Sequence, residues 1–159
     1  MEFAGSHILS VEQFGRADIE RVFDVADSMA PYAHRRKITR VLEGAILGNM
    51  FFEPSTRTRV SFGCAFNLLG GEVRETTGIE NSAIAKGESL YDTARVISGY
   101  SDVIAMRHPA AGSVKELGRC EPTMVRREMP NASSRAALAN TTVPSLCTTA
   151  TSVANKSKA

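Results

Sequence analysis

Three short segments of strand character, at residues 45–52, 72–76 and 102–107, alternate with two segments of helical character at residues 55–69 and 88–100. That alternation restricts the chain more than any other feature in it. A connection that runs through a helix returns the chain to the same end of the sheet, so consecutive strands lie parallel instead of closing as hairpins. The expected fold is therefore α/β, a three-layer domain with a parallel sheet built on a βαβαβ core, with right-handed crossovers and ligand groups at the carboxyl ends of the strands. Ser55 and Arg107 both fall at such ends. The punctuation agrees: Gly70-Gly71 closes the first of the two helices, and Leu90, Ala94, Ile97 and Gly99 gather near one side of the second. Ahead of the first strand, Ser10-Val11-Glu12-Gln13 has the spacing of a capping box, and Ile19, Val22, Phe23, Ala26 and Met29 recur at helical period up to Pro31, which predicts an amphipathic opening helix.

The junction between the first strand and its helix reads Phe51-Phe52-Glu53-Pro54-Ser55-Thr56-Arg57-Thr58-Arg59. Ser55 is a good helix N-cap, and the backbone N–H groups of Thr56, Arg57 and Thr58 then converge on one point where the helix dipole also favours negative charge. A phosphate fits there. Arg57 adds a planar bidentate clamp, and the hydroxyls of Ser55, Thr56 and Thr58 add donors. The same residues also read as a capped, solvated first turn and nothing more. Against that, two arginines in a first helical turn oppose the macrodipole, a cost that a bound anion or a nearby carboxylate offsets.

Phe-Phe-Glu-Pro-Ser-Thr-Arg-Thr-Arg followed by Ser61-Phe62 resembles the carbamoyl-phosphate signature of the aspartate and ornithine carbamoyltransferases. The resemblance continues in order through Leu69-Gly70-Gly71, Ser82 with Lys86-Gly87-Glu88-Ser89, Asp92-Thr93-Ala94-Arg95-Val96 and Met106-Arg107-His108-Pro109, and it extends over roughly residues 5–116. Lys86-Gly87-Glu88-Ser89 and Glu53-Pro54 resemble the aspartate branch more than the ornithine branch. The implied reaction is attack of the aspartate α-amine on the carbonyl of carbamoyl phosphate through a tetrahedral intermediate, with no metal or organic cofactor. Ser55, Thr56, Arg57 and Thr58 are implied to bind the phosphate, Arg57 to steady the leaving group, and Thr58 with Arg107 to donate to the carbonyl oxygen. Ser82 and Lys86 are implied to lie on a loop that reaches a neighbouring subunit's active site, hence a homotrimer, or a trimer with a full-length relative. His108 accompanies Arg107 and is not expected to be a general base. The family's His-Pro-x-x-Gln motif and its second, aspartate-binding domain have no counterpart here, so the aspartate site is expected to be largely missing.

Length sharpens that point. A chain of 159 residues has room for one ordinary domain, whereas the family has two. The expected division is a partial carbamoyl-phosphate-binding domain at residues 1–117 and a non-family segment at residues 118–159. In residues 131–159, 20 of 29 are Ser, Thr, Ala or Asn, and that part is expected to be largely disordered. From Gly118 onward six Lys and Arg face two Glu, so the pI of about 8.5 comes from this segment and not from a nucleic-acid-binding face. The basic run His34-Arg35-Arg36-Lys37-Ile38-Thr39-Arg40 lacks interleaved aromatics and reads as a solvated loop. Cys64, Cys120 and Cys147 lack metal-site or disulfide spacing, which suggests a reducing compartment, and Cys64 is expected to be a buried, inert thiol. With no membrane span or signal segment in view, the expected location is cytoplasmic. Two alternatives stay open: a non-catalytic module that binds phosphate or carbamoyl phosphate, and an ornithine carbamoyltransferase.

Overall fold

The computed structural model describes residues 1–3, 5–78 and 83–119. Ser82 lies outside the described residues, as do residues 120–159, which include the whole of the 131–159 part expected to be disordered. Strands β1 (Ile46–Phe51), β2 (Glu72–Thr77) and β3 (Val103–Arg107) form one sheet in the order β2-β1-β3, with both pairings parallel. Helices α2 (Thr56–Leu68) and α3 (Leu90–Ser98) make the two crossovers. A short α4 (Ser113–Leu117), not expected from the sequence, follows β3.

The period of two along the strands sorts side chains to opposite faces and produces three layers. On one face Ala45, Leu47 and Ala105 pack with Phe66 of α2. On the other, Met50, Phe52, Ile104 and Met106 pack with Ala94 of α3 and with Val114 and Leu117 of α4. Burial of each such large side chain contributes about 1.5–3 kcal/mol. The central strand is buried along nearly its whole length, whereas β2, at the sheet edge, exposes most of its residues.

The end of α2 follows from its two glycines. Gly70 sits at φ +93°, its N–H donates to Asn67 O at 3.0 Å, and the N–H of Gly71 donates to Phe66 O at 3.1 Å. That pair of bonds is the Schellman arrangement, which satisfies the last carbonyls and turns the chain directly into β2. Cys64 corrects an expectation: it is exposed. The inward arc of α2 is set by Arg59, Phe62, Gly63 and Phe66, spaced three and four apart, and Cys64 falls just outside it.

The opening region also departs in detail from the expectation. Ser10 and Gln13 do form the capping box, but it caps a one-turn 3-10 helix (Val11–Gln13), and α1 (Arg16–Ala33) starts after it. Pro31 lies inside α1 without ending it. Its carbonyl still accepts from Arg36 N–H at 2.8 Å, and the missing N–H removes only one bond near the terminus. No residue of α1 is buried, and Ile19, Val22 and Phe23 of its apolar stripe are exposed.

Candidate functional site

The carboxyl ends of β1 and β3 are joined beyond the last paired residues. Phe51 is in register with Arg107, and Phe52 N–H donates to Arg107 O at 2.9 Å. This extra rung brings the turn Glu53-Pro54-Ser55 beside Arg107, 52 residues later in the chain. Arg107 Nε donates to Glu53 Oε1, and Arg107 Nη1 donates to Ser55 Oγ at 2.8 Å. The guanidinium is thereby held at two of its nitrogens, and its Nη2 has no partner among the described residues. Both partners of the Arg107–Glu53 ion pair are about three-quarters buried, so the pair is shielded more than a surface bridge.

Ser55 occupies the N-cap position of α2, but its hydroxyl makes no capping hydrogen bond. The expected side-chain cap is absent, and the hydroxyl oxygen accepts from Arg107 Nη1. The first intrahelical bond runs from Arg59 N–H to Ser55 O at 3.0 Å, so the N–H groups of Thr56, Arg57 and Thr58 open the helix without intrahelical acceptors, as in any α-helix. Thr56 and Arg57 are exposed and Thr58 is half-buried. The two arginines of this turn have separate fates. Arg59 is paired with Glu75 of β2, while Arg57 has no side-chain partner among the described residues. The carboxylate that offsets the macrodipole thus belongs to Arg59, and Arg57 remains uncommitted.

His108 follows Arg107 and turns away from this opening. Its Nδ1 accepts from Ala110 N–H at 3.1 Å and lies 2.9 Å from Ser113 Oγ, and its ring meets Phe52 edge-on with centroids 5.4 Å apart. Burial pushes the imidazole below its ordinary value of 6.5, against the opposing pull of Glu116 and Glu53. A neutral ring that accepts at Nδ1 serves to pin the strand end to the start of α4. Lys86, at the end of a 3-10 helix (Ala83–Lys86), is exposed and has no bond to Ser55, Arg57 or Arg107 among the described residues.

The structure therefore brings Ser55 and Arg107 together, sets Thr56, Arg57 and Thr58 on the adjoining helical turn, and leaves Lys86 apart. Glu53 was visible in the sequence as part of a motif, but its grip on Arg107 depends on the β1–β3 register. Among the described residues no group of His, Cys, Asp and Glu has the arrangement of a metal site, and no helix is long and apolar enough to cross a membrane. Free helix N–H groups, hydroxyls and guanidinium groups are the donor types that hold a small, multiply charged oxyanion and polarise a carbonyl beside it.

The chain is similar to known proteins along most of the described residues. Residues 6–136 match the family model described as aspartate/ornithine carbamoyltransferase, carbamoyl-P binding domain. The aspartate carbamoyltransferase catalytic subunit of Saccharophagus degradans is 83% identical over 119 residues, which is 75% of this chain and 35% of that protein. The corresponding subunit of Cellvibrio japonicus is 78% identical over 116 residues, 73% of this chain and 34% of that one. Among solved structures, the M. jannaschii aspartate transcarbamoylase catalytic subunit superposes with a TM-score of 0.66 at 43% identity, covering 74% of this chain and 37% of that one. The Trypanosoma cruzi aspartate transcarbamoylase in complex with carbamoyl phosphate and aspartate does so with a TM-score of 0.66 at 41% identity, covering 72% and 38%. The chain spans about a third of the length of the curated relatives it matches.

Proposed function

Because the chain belongs to the aspartate/ornithine carbamoyltransferase family, we propose that it is the carbamoyl-phosphate-binding part of an aspartate carbamoyltransferase-type catalytic chain, a transferase of pyrimidine biosynthesis acting in the cytoplasm. The observation that carries this reading is an Arg57 with no side-chain partner among the described residues on the first turn of α2, together with an Arg107 tied through Ser55 to the start of that turn. The phosphate of carbamoyl phosphate takes the N–H groups of Thr56, Arg57 and Thr58 and the hydroxyls of Ser55, Thr56 and Thr58. Arg57 clamps the phosphate and neutralises charge as it leaves. Thr58 and the free edge of Arg107 donate to the carbonyl oxygen, which becomes an oxyanion when the aspartate amine adds. The catalytic contribution of these groups is preorganised charge and orientation, with no covalent intermediate.

Ser82 and Lys86 are assigned to a subunit interface, completing a neighbour's site in a trimer of this chain or in a trimer with a full-length relative. The exposure of Lys86, with no tie to the site of its own chain among the described residues, favours that assignment. The relatives named above are aspartate enzymes, which favours aspartate over ornithine as acceptor. The proposal takes residues 1–117 as the binding domain and residues 118–159 as the segment beyond it, with the family match running on to residue 136.

A second reading has its own support. The chain covers 35% of its Saccharophagus relative, and the family resemblance assigns the grip on aspartate to a second domain. In that reading the chain alone binds carbamoyl phosphate and does not turn it over. Calorimetry with inorganic phosphate and carbamoyl phosphate, beside an assay for carbamoyl-aspartate, tests both readings. Arg57→Ala is expected to weaken phosphate binding roughly tenfold to a hundredfold, the scale of a lost charge-assisted contact. Equal affinity in the wild-type chain and Arg57→Ala would remove the anion-site reading. Arg57-dependent, aspartate-saturable turnover by the 159-residue chain would overturn the binding-only reading.

A further inference from the structure

Below the first two turns of α2 lies a polar cluster on a face that is otherwise apolar. Asn49, at the centre of β1, is fully buried, and its Nδ2 donates to Arg59 O at 3.1 Å and to Glu75 Oε1 at 3.3 Å. Glu75 is the β2 residue in direct register with Asn49, and its other carboxylate oxygen pairs with Arg59 Nη1. Arg59 is thus held at its carbonyl by β1 and at its guanidinium by β2. Gly63, one turn on, lies over the same cluster, where a Cβ would make ordinary contact at 3.7 Å from Glu75 Oε1 and 3.8 Å from Asn49 Nδ2. A hydrophobic contact lets a helix slide and rotate at small cost, whereas hydrogen bonds and an ion pair of fixed geometry do not. Asn49 Oδ1 is buried with no partner among the described residues, so the amide is oriented by its donor side.

We infer that Asn49, Glu75 and Arg59 form a positioning cluster that sets the rotation and axial placement of α2, and through it the aim of Arg57 and of the Thr56, Arg57 and Thr58 N–H groups at the bound phosphate. The inference rests on the anion-site reading above. Arg59 lies two residues from Arg57 and one from Thr58, so whatever fixes Arg59 fixes the turn that carries the donors. The three residues come from three successive elements, and they converge only when β1, β2 and α2 are in their native register.

The test uses inorganic phosphate and calorimetry on the 159-residue wild-type chain, Glu75→Gln and Asn49→Ala, well below their unfolding midpoints. The direction of the effect discriminates between causes. Removing the Glu75 carboxylate deletes a negative charge and releases Arg59, and both changes strengthen anion binding through space. Lost positioning weakens it. Glu75→Gln and Asn49→Ala are each expected to weaken phosphate binding about tenfold, the scale of one misaligned charge-assisted hydrogen bond. Amide exchange of residues 57–61 is expected to accelerate in both variants relative to α3. Phosphate affinity that is equal to or tighter than wild type in Glu75→Gln, whatever happens to stability, overturns the inference while leaving the anion site intact. A wild-type chain that does not bind phosphate overturns the anion-site reading and the inference with it.

Discussion

Gly48 stands in the middle of β1 and faces α3, and its replacement by alanine tests how closely the two layers are packed. A Cβ at Gly48 would lie 2.7 Å from Ser101 Oγ and 2.9 Å from Ile97 Cγ2. Both separations are below ordinary van der Waals contact. Ser101 can rotate its hydroxyl aside, but Ile97 is β-branched and stiff at χ1, so relief requires α3 or β1 to shift. Overpacking of this kind costs about 1–3 kcal/mol, while replacing a strand glycine returns about 0.4–1 kcal/mol by restricting the unfolded chain. The net expectation for Gly48→Ala is a loss of about 1–2 kcal/mol. For a domain of this size that corresponds to a fall in melting temperature of roughly 5–15 °C. Thermal unfolding followed by circular dichroism, with urea titration as a second measure, reads the change directly. Ile97→Ala in the same background removes the Cγ2, so the double variant should lose less than the sum of the two single losses. A Gly48→Ala chain that melts at or above the wild-type temperature would refute the close approach of α3 to β1.

His108 gives a pH dependence with a defined sign. Its folded value lies below the ordinary 6.5, so the unfolded chain takes up the proton first, and the stability contributed by the neutral ring is complete above 6.5 and declines as pH falls below it toward the lower folded value. Urea midpoints measured between about pH 5 and 7.5 should fall less steeply in His108→Gln than in wild type, and parallel profiles would contradict the burial of a neutral imidazole. Cys64, exposed on α2, should be modified by a thiol reagent in the native chain at a rate near that of a free thiol. Peptide mapping distinguishes it from Cys120 and Cys147, and protection of Cys64 until unfolding would place it back on the buried face.

Much of the fold was legible because it is written in local periodicity. The alternation of strand and helix, the turn through Pro54 and the closure at Gly70-Gly71 each depend on residues within a few positions of one another, and all recur in the structure. Helix bounds shifted by a residue or two for the usual reason that terminal turns are settled by caps. Cys64 was misread because the apolar residues of α2, among them Val60, Phe62, Ala65, Phe66 and Leu68, do not gather on one stripe and leave its inward face poorly marked. The stripe on α1 was read correctly as amphipathic, yet its period says only that one face is apolar and not whether anything in this chain covers it.

At the candidate site the sequence by itself determined the inventory: a helix start rich in hydroxyls, Arg57 and Arg59 in its first turn, and Arg107 at a strand end. Which arginine lacks a side-chain partner among the described residues was decided only by tertiary structure. Arg59 meets Glu75 because Asn49 and Glu75 share a register across β1 and β2, and Ser55 gives its hydroxyl to Arg107 because Phe51 and Arg107 share one across β1 and β3. Register between strands is fixed by the packing of whole faces, so partners 16 and 52 residues apart cannot be read from spacing along the chain.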